Sequence, residues 1–342
     1  MSAPTRDRPS GESTTDRAPT RRVPPPATVA MLIAVAVVTL QALLVPLFSA
    51  PAANVAPRDL PVVVAGPPAA ADGLRDRLAA AQPGAFEIST VPDAEAADRA
   101  LRDREAYAAF VLGPDGLALH TASGASPTVA ALLTQAAGQI SAGGGQPVRV
   151  RDVVAGGPDD PRGGGFAAGF LPLVLTSMLA GVGLVLAVRS RAGRLLGLLG
   201  YGLLAGLAAT AVLQGWLGVL DGDYPRNAAA VGLVALAAAA TVTGLGALLG
   251  RPGVALAALL LFVVGNPLSA VAAAPELLPQ PWGEIGQWLP AGAGGTLVRS
   301  AAFFDGAGAG PAVWILVGYA TVGLVLTVVA RPTRLGTATP NR

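Results

Sequence analysis

Six stretches of roughly 20 or more residues without a central charge, at 29–48, 166–188, 195–220, 228–250, 254–274 and 311–330, constrain this chain more than any motif in it. Each is long enough to cross a hydrocarbon core of about 30 Å as a helix. A soluble domain could not bury all six, and with 52% hydrophobic against 13% charged residues the chain reads as an α-helical polytopic membrane protein in a lipid bilayer. The small residues at 49–53, SAPAA, would suit signal-peptide cleavage, but the first run exceeds a normal signal core and more spans follow. It is read as an uncleaved anchor.

Between the first two runs the pattern changes to that of an α/β domain. PVVVA at 61–65, FEIST at 86–90, YAAFVLG at 107–113 and LALHT at 117–121 are strand candidates, with a turn at Pro114, Asp115 and Gly116. Amphipathic helices are expected around Leu74 and Leu78, and after Asp93 as N-cap of a helix whose mixed charges face solvent. A last helix over 128–140 precedes a Gly-rich linker in which VRVRDVV at 148–154 alternates like an edge strand. The expected order is a disordered tail at 1–27, a first span at 28–50, the α/β domain and linker at 51–165, a bundle of five spans at 166–334, and a short tail at 335–342.

Arginines fix the expected orientation. Arg21 and Arg22, then Arg189, Arg191 and Arg194, then Arg251, then Arg331 and Arg334 all fall on one side if every run crosses once. The positive-inside rule puts that side, and both termini, in the cytoplasm of a multi-pass protein of the cell membrane. The α/β domain and residues 275–310 then lie outside. In this last segment Trp282, Ile285, Trp288 and Leu289 share one face of a short helix ended by Pro290, with Glu284 and Gln287 facing away. After a Gly-rich joint, a second short helix over 296–304 is expected to turn Leu297, Val298, Ala301 and Phe304 to an interface and to expose Arg299.

Several chemistries are excluded. The chain has no cysteine for disulfides or thiolate metal sites, and no lysine for a P-loop or a Schiff base. His120 is its one histidine and is read as a surface strand residue without metal partners. No catalytic triad or nucleophile elbow occurs, so neither an enzyme nor a cofactor is expected, and the clustered arginines serve topology instead of nucleic-acid binding. Gln41, Gln214 and Asn266 are candidate polar contacts inside the membrane. Gly202 with Gly206, and Gly246 with Gly250, are small-xxx-small pairs suited to close helix packing. Glu276, Trp282, Glu284, Trp288, Arg299 and Asp305 are candidates for an exit mouth.

One span, an α/β domain, five more spans and an amphipathic segment before the last: this order resembles the ABC-2 type transporter permeases and the related YhgE/Pip-like and DUF3533-like membrane proteins. The PVVVAG, FEISTV and YAAFVLG segments and LPAGAGGTLVRSAAFFDG at 289–306 carry the likeness, the last resembling a segment of actinobacterial members. The resemblance implies an export permease for an amphiphilic or hydrophobic compound, working as a homodimer or paired with a homologue and driven by a separate ABC ATPase. Only RSRAGR at 189–194 stands where such permeases carry a substantial cytoplasmic segment. The alternative is an envelope interaction protein that uses its outer domain without transport.

Overall fold

A computed structural model describes residues 25–114, 116–142 and 147–330. The expected tails, with Arg21, Arg22, Arg331 and Arg334, lie outside the described residues, apart from residues 25–27, as does Asp115 of the turn. The chain divides into two units, Met1–Pro46 and Leu47–Arg342. From Pro26 the first unit is helical, as part of α1 (Pro26–Ala53), which ends beyond it; the helix carries exposed apolar side chains, and Gln41 is exposed among them.

The second unit joins a sheet to a helical bundle. Its first elements are β1 (Leu60–Ala65), α2 (Pro68–Ala81), β2 (Phe86–Val91), α3 (Ala94–Arg102), β3 (Ala108–Gly113), β4 (Gly116–Thr121), α4 (Pro127–Ala142) and β5 (Arg149–Asp152). The sheet order is β2-β1-β3-β4-β5, parallel except between β3 and β4. Leu60, Val62, Val63, Val64 and Ala65 are all buried, as a strand covered on both faces requires. The Val/Arg alternation expected at 148–154 forms β5, an exposed edge. Asp93 caps α3 by accepting a hydrogen bond from the Ala96 amide at 2.8 Å.

Two readings in this domain are corrected. The charges of α3 do not all face solvent, because Asp98 is buried and its carboxylate also lies 3.3 Å from Arg151 on β5. His120 is not a surface residue: it is buried on β4, with Nδ1 2.6 Å from Asp98 Oδ1. The pair crosses from sheet to helix, so each polar group satisfies the other where strand alternation alone suggested solvent.

Among the described residues, six helices are long and apolar enough to cross a membrane: Pro26–Pro51, Gly164–Ala187, Arg191–Trp216, Tyr224–Leu249, Arg251–Leu268 and Gly310–Val329. The last five comprise α5 (Gly164–Ala187), α6 (Arg191–Thr210) with a π-helical end, α7 (Tyr224–Leu249), α8 (Arg251–Ala258) running through a π-helical stretch into α9 (Gly265–Leu268), and α12 (Gly310–Val329). The fifth run stops at Leu268 instead of continuing to 274. Pro267 offers no amide, the Asn266 carbonyl accepts from the Ser269 hydroxyl at 2.7 Å, and Ala270 takes a left-handed φ of 54°.

The core of the bundle is α7, whose alanines and glycines let neighbours approach to backbone contact. A Cβ on Gly206 would lie 2.2 Å from the Ala228 carbonyl oxygen, so the expected packing at Gly202 and Gly206 is met against α7. Gly246 packs against Val185 and Val254, but its presumed partner Gly250 instead makes the turn into α8 at φ 70°. At the end of the bundle away from the sheet, Arg191 donates to the Ala330 carbonyl at 2.9 Å, and Arg194 to those of Val188 and Val185.

The 265–305 stretch joins the sheet to this bundle. It contains a 3-10 turn at Pro275–Leu277, α10 (Trp282–Gln287) and α11 (Pro290–Phe303). Pro290 starts α11 instead of only ending α10, and the expected Gly-rich joint is its first turns, where Gly294 fits against Phe170 and Val234. Leu277 packs with Leu60, Val62, Leu119 and Leu133 on one face of the sheet. Phe304 packs with Val63, Ala97 and Leu101 on the other. Phe304 therefore lies in the sheet's core and not at an interface.

Candidate functional site

Where the N-terminal ends of β1 and β3 meet α10, α11 and the start of α12, the second unit forms an open-mouthed cavity of about 640 Å³. Position follows from topology: β1, β2 and β3 are parallel, so the residues preceding them, Arg58 and Asp59, Ala85, and Arg104 to Tyr107, share one edge. That edge is held onto the 275–277 turn. The Arg58 amide donates to the Glu276 carbonyl at 2.9 Å, and the Ala56 amide to that of Leu277 at 3.2 Å.

Tyr107, the residue before β3, donates its hydroxyl to Glu276 Oε2 at 2.9 Å. Burial, and then the neighbouring Glu276 charge, push the Tyr107 hydroxyl well above the usual phenol range. Burial also raises the Glu276 carboxyl, and hydrogen bonds from its own backbone and from Tyr107, with the charge of Arg104, only partly oppose the rise. Glu276 is thus a half-buried acid whose ionised form the fold disfavours.

Two guanidinium groups act on Tyr107, those of Arg104 and Arg299. Arg104 sits at a left-handed φ of 59° and donates through Nη1 to the Thr296 carbonyl at 3.0 Å and to the Ser300 hydroxyl, with its plane 5.1 Å from the Phe304 ring. Arg299 is buried at 6% exposure, which overturns the expectation that α11 exposes it. It donates to the Val271 carbonyl at 2.7 Å and covers the Phe166 ring at 4.5 Å. Burial pulls its pKa down to about 10, so it stays charged at neutral pH. Its apolar neighbours in sequence hid this, because a helix touching both sheet and bundle has no solvent face on which to place an arginine.

The sequence candidates separate accordingly. Glu276, Glu284 and Trp288 line the cavity, as does Gln287, so Glu284 and Gln287 do not face away from structure. Trp282 is half exposed on α10 outside it. Asp305 does not join Glu276 and Glu284: it pairs with Arg226 at 2.7 Å. Gln214 bonds Asn227 and the Gly222 carbonyl at the end of the bundle near the sheet. Asn266 contributes its carbonyl to the end of α9. Arg104 and Tyr107 escaped notice because each lay within an ordinary helix or strand pattern.

No family model, curated protein or solved structure matches this chain. Among the described residues no group of three or more histidine, aspartate or glutamate side chains is placed to hold a metal ion.

Glu276 gives a direct pH test. With its folded value raised, its contribution is fully present below the unfolded carboxylate range, about 4.3, and is lost as pH rises toward the folded value. Glu276→Gln keeps an oxygen for the Tyr107 hydroxyl but cannot ionise. The Tm of the wild type in detergent is expected to fall relative to that of the variant as pH rises from 4 to 7. Parallel Tm profiles would contradict the assignment.

Proposed function

We propose that this chain is an ABC-2 permease-like integral membrane subunit that exports an amphiphilic or hydrophobic compound with a separate ATPase. The observation that carries the reading is the cavity itself, charged where it meets the strand edge and apolar where Pro311, Ala312 and Ile315 of α12 line it. A compound with a polar head and an apolar body fits such a boundary. A chain without lysine has no P-loop of its own, so hydrolysis falls to a partner. Both termini are assigned to the cytoplasm, because Arg189, Arg191, Arg194 and Arg251 gather at the bundle end remote from the sheet. The α/β domain, the cavity and α10–α11 are then outside, with Trp282 and Trp288 at headgroup level.

The full-length chain, purified from membranes of its own host, is expected to bring down an ATPase whose hydrolysis rises when an amphiphile is added. A clean preparation that binds and stimulates no ATPase would overturn the permease reading. One observation favours the second reading, a stand-alone envelope interaction protein: Arg191 and Arg194 in the α5–α6 turn are engaged by the fold's own carbonyls, leaving little surface for an ATPase. Under that reading, deleting residues 57–140 abolishes partner capture in cells and no export is lost.

A further inference from the structure

The cavity's charges are unequal in number. Its lining holds the five carboxylates of Asp59, Glu87, Glu105, Glu276 and Glu284 against the two guanidinium groups of Arg58 and Arg104. Neither arginine neutralises them directly. Arg58 donates to the Ala56, Leu277 and Asn54 carbonyls, and Arg104 to the Thr296 carbonyl and the Ser300 hydroxyl. No ion pair among the described residues includes any of the five carboxylates. Most of the five are at the solvated rim, where acids are ordinary. Glu276 and Glu284 differ in lying on the 275–287 segment that leads into Trp288, which shares the lining with Pro311, Ala312 and Ile315 of α12 and so brings negative charge next to apolar surface.

That surface is the start of α12, with Pro311 and Ile315, and it continues to Trp288, a residue 70% exposed. An indole face beside carboxylates attracts a cation through both its quadrupole and the local field, and repels an anion of the same shape. The volume, about 640 Å³, lies in the range of small-molecule sites.

We infer that this cavity binds a cationic amphiphile, its ammonium group held by Glu284 and by Glu276, whose ionised form the bound cation favours, and its hydrocarbon part laid along Trp288 and the first turns of α12. The inference deepens the permease reading: the site stands on the cavity alone, and only the step of calling its ligand the exported cargo rests on that reading. Acids at an aromatic, apolar boundary exclude anionic amphiphiles of equal chain length, so charge sign is the discriminating property.

The full-length protein in phosphatidylcholine nanodiscs is titrated with three probes of one chain length: dodecyltrimethylammonium, dodecyl sulfate and dodecyl maltoside, all below micelle formation. Intrinsic tryptophan fluorescence is read, with empty nanodiscs as the partitioning background. The cationic probe is expected to saturate and to bind about tenfold or more tightly than the other two, as about 1.4 kcal/mol of charge attraction provides. Glu276→Gln and Glu284→Gln each weaken it about tenfold. Glu284 is exposed, so its variant folds even where Glu276→Gln does not, and Trp288→Leu abolishes the fluorescence response while leaving the retained Glu contacts. Equal binding of the three probes, a response no different from empty nanodiscs, or unchanged affinity in a folded Glu284→Gln would overturn the inference. The assay needs no ATPase. Selective binding without any coupled ATPase would reject the permease reading and leave the site, whereas a coupled ATPase with unselective probes would reject the site alone.

Discussion

Gly323→Val is expected to prevent accumulation of the folded protein. A Cβ at Gly323 would lie 2.4 Å from both the carbonyl carbon and the oxygen of Ala240, and one at Gly244 would lie 2.5 Å from the Gly323 oxygen. The two helices thus touch reciprocally, backbone to backbone, and no flexible side chain can yield. A branched residue must push α12 from α7, opening the buried contacts of Leu316 and Ala320 with the bundle core. Overpacking of this kind costs about 3 kcal/mol or more. Gly318→Ala, on the same helix with nothing within 4 Å of the added Cβ, is the control and should be neutral. Gel filtration in detergent and thermal unfolding check both. Equal behaviour of the two variants would contradict the packing of α12 on α7.

Arg104→Ala is expected to loosen the sheet from α11, with a loss of about 3 kcal/mol. The substitution leaves the Thr296 carbonyl and the Ser300 hydroxyl without their donor and removes the cation from the Phe304 ring. Part of that cost is offset because a half-buried charge no longer needs desolvation. The left-handed backbone supplies a second, independent test. At φ 59° an alanine carries the same strain as arginine, while glycine relieves about 1 kcal/mol of it. The expected order of stability is arginine, then glycine, then alanine. Hydrogen exchange should quicken in α11 and at the head of β3 in both variants, and an unchanged α11 would rule out the anchor.

Much of the fold was legible because hydropathy and strand alternation are local signals. The six apolar runs, the fifth shortened at Leu268, the N-cap at Asp93 and the edge strand at Arg149–Asp152 appear where local sequence places them. The junction was not legible. Arg299 and His120 were assigned to solvent because polar residues in amphipathic segments normally face it, and nothing in their neighbourhoods announced Phe166 or Asp98 as partners far along the chain. Pro290 and the glycines after it carried the composition of a linker, yet in a helix wedged between sheet and bundle the small residues are what permits contact. Glu276 and Glu284 were marked from composition and do line one cavity, but Tyr107 and Arg104 came from the sheet, which only tertiary structure brings to them. Asp305 was grouped with them by sequence proximity and pairs with Arg226 instead.

The proposed placement of the α/β domain and the cavity outside the cell, opposite the α5–α6 turn, is tested most directly by thiol labelling. The chain has no cysteine, so single cysteines report alone. Ser89, exposed on the edge strand β2, and Ala192, exposed in the first turn of α6, lie at opposite ends of the 24-residue α5. In intact cells a membrane-impermeant maleimide is expected to label Ser89→Cys at once and Ala192→Cys only after permeabilisation. Labelling of both from one side, or of Ala192→Cys alone, would contradict the account.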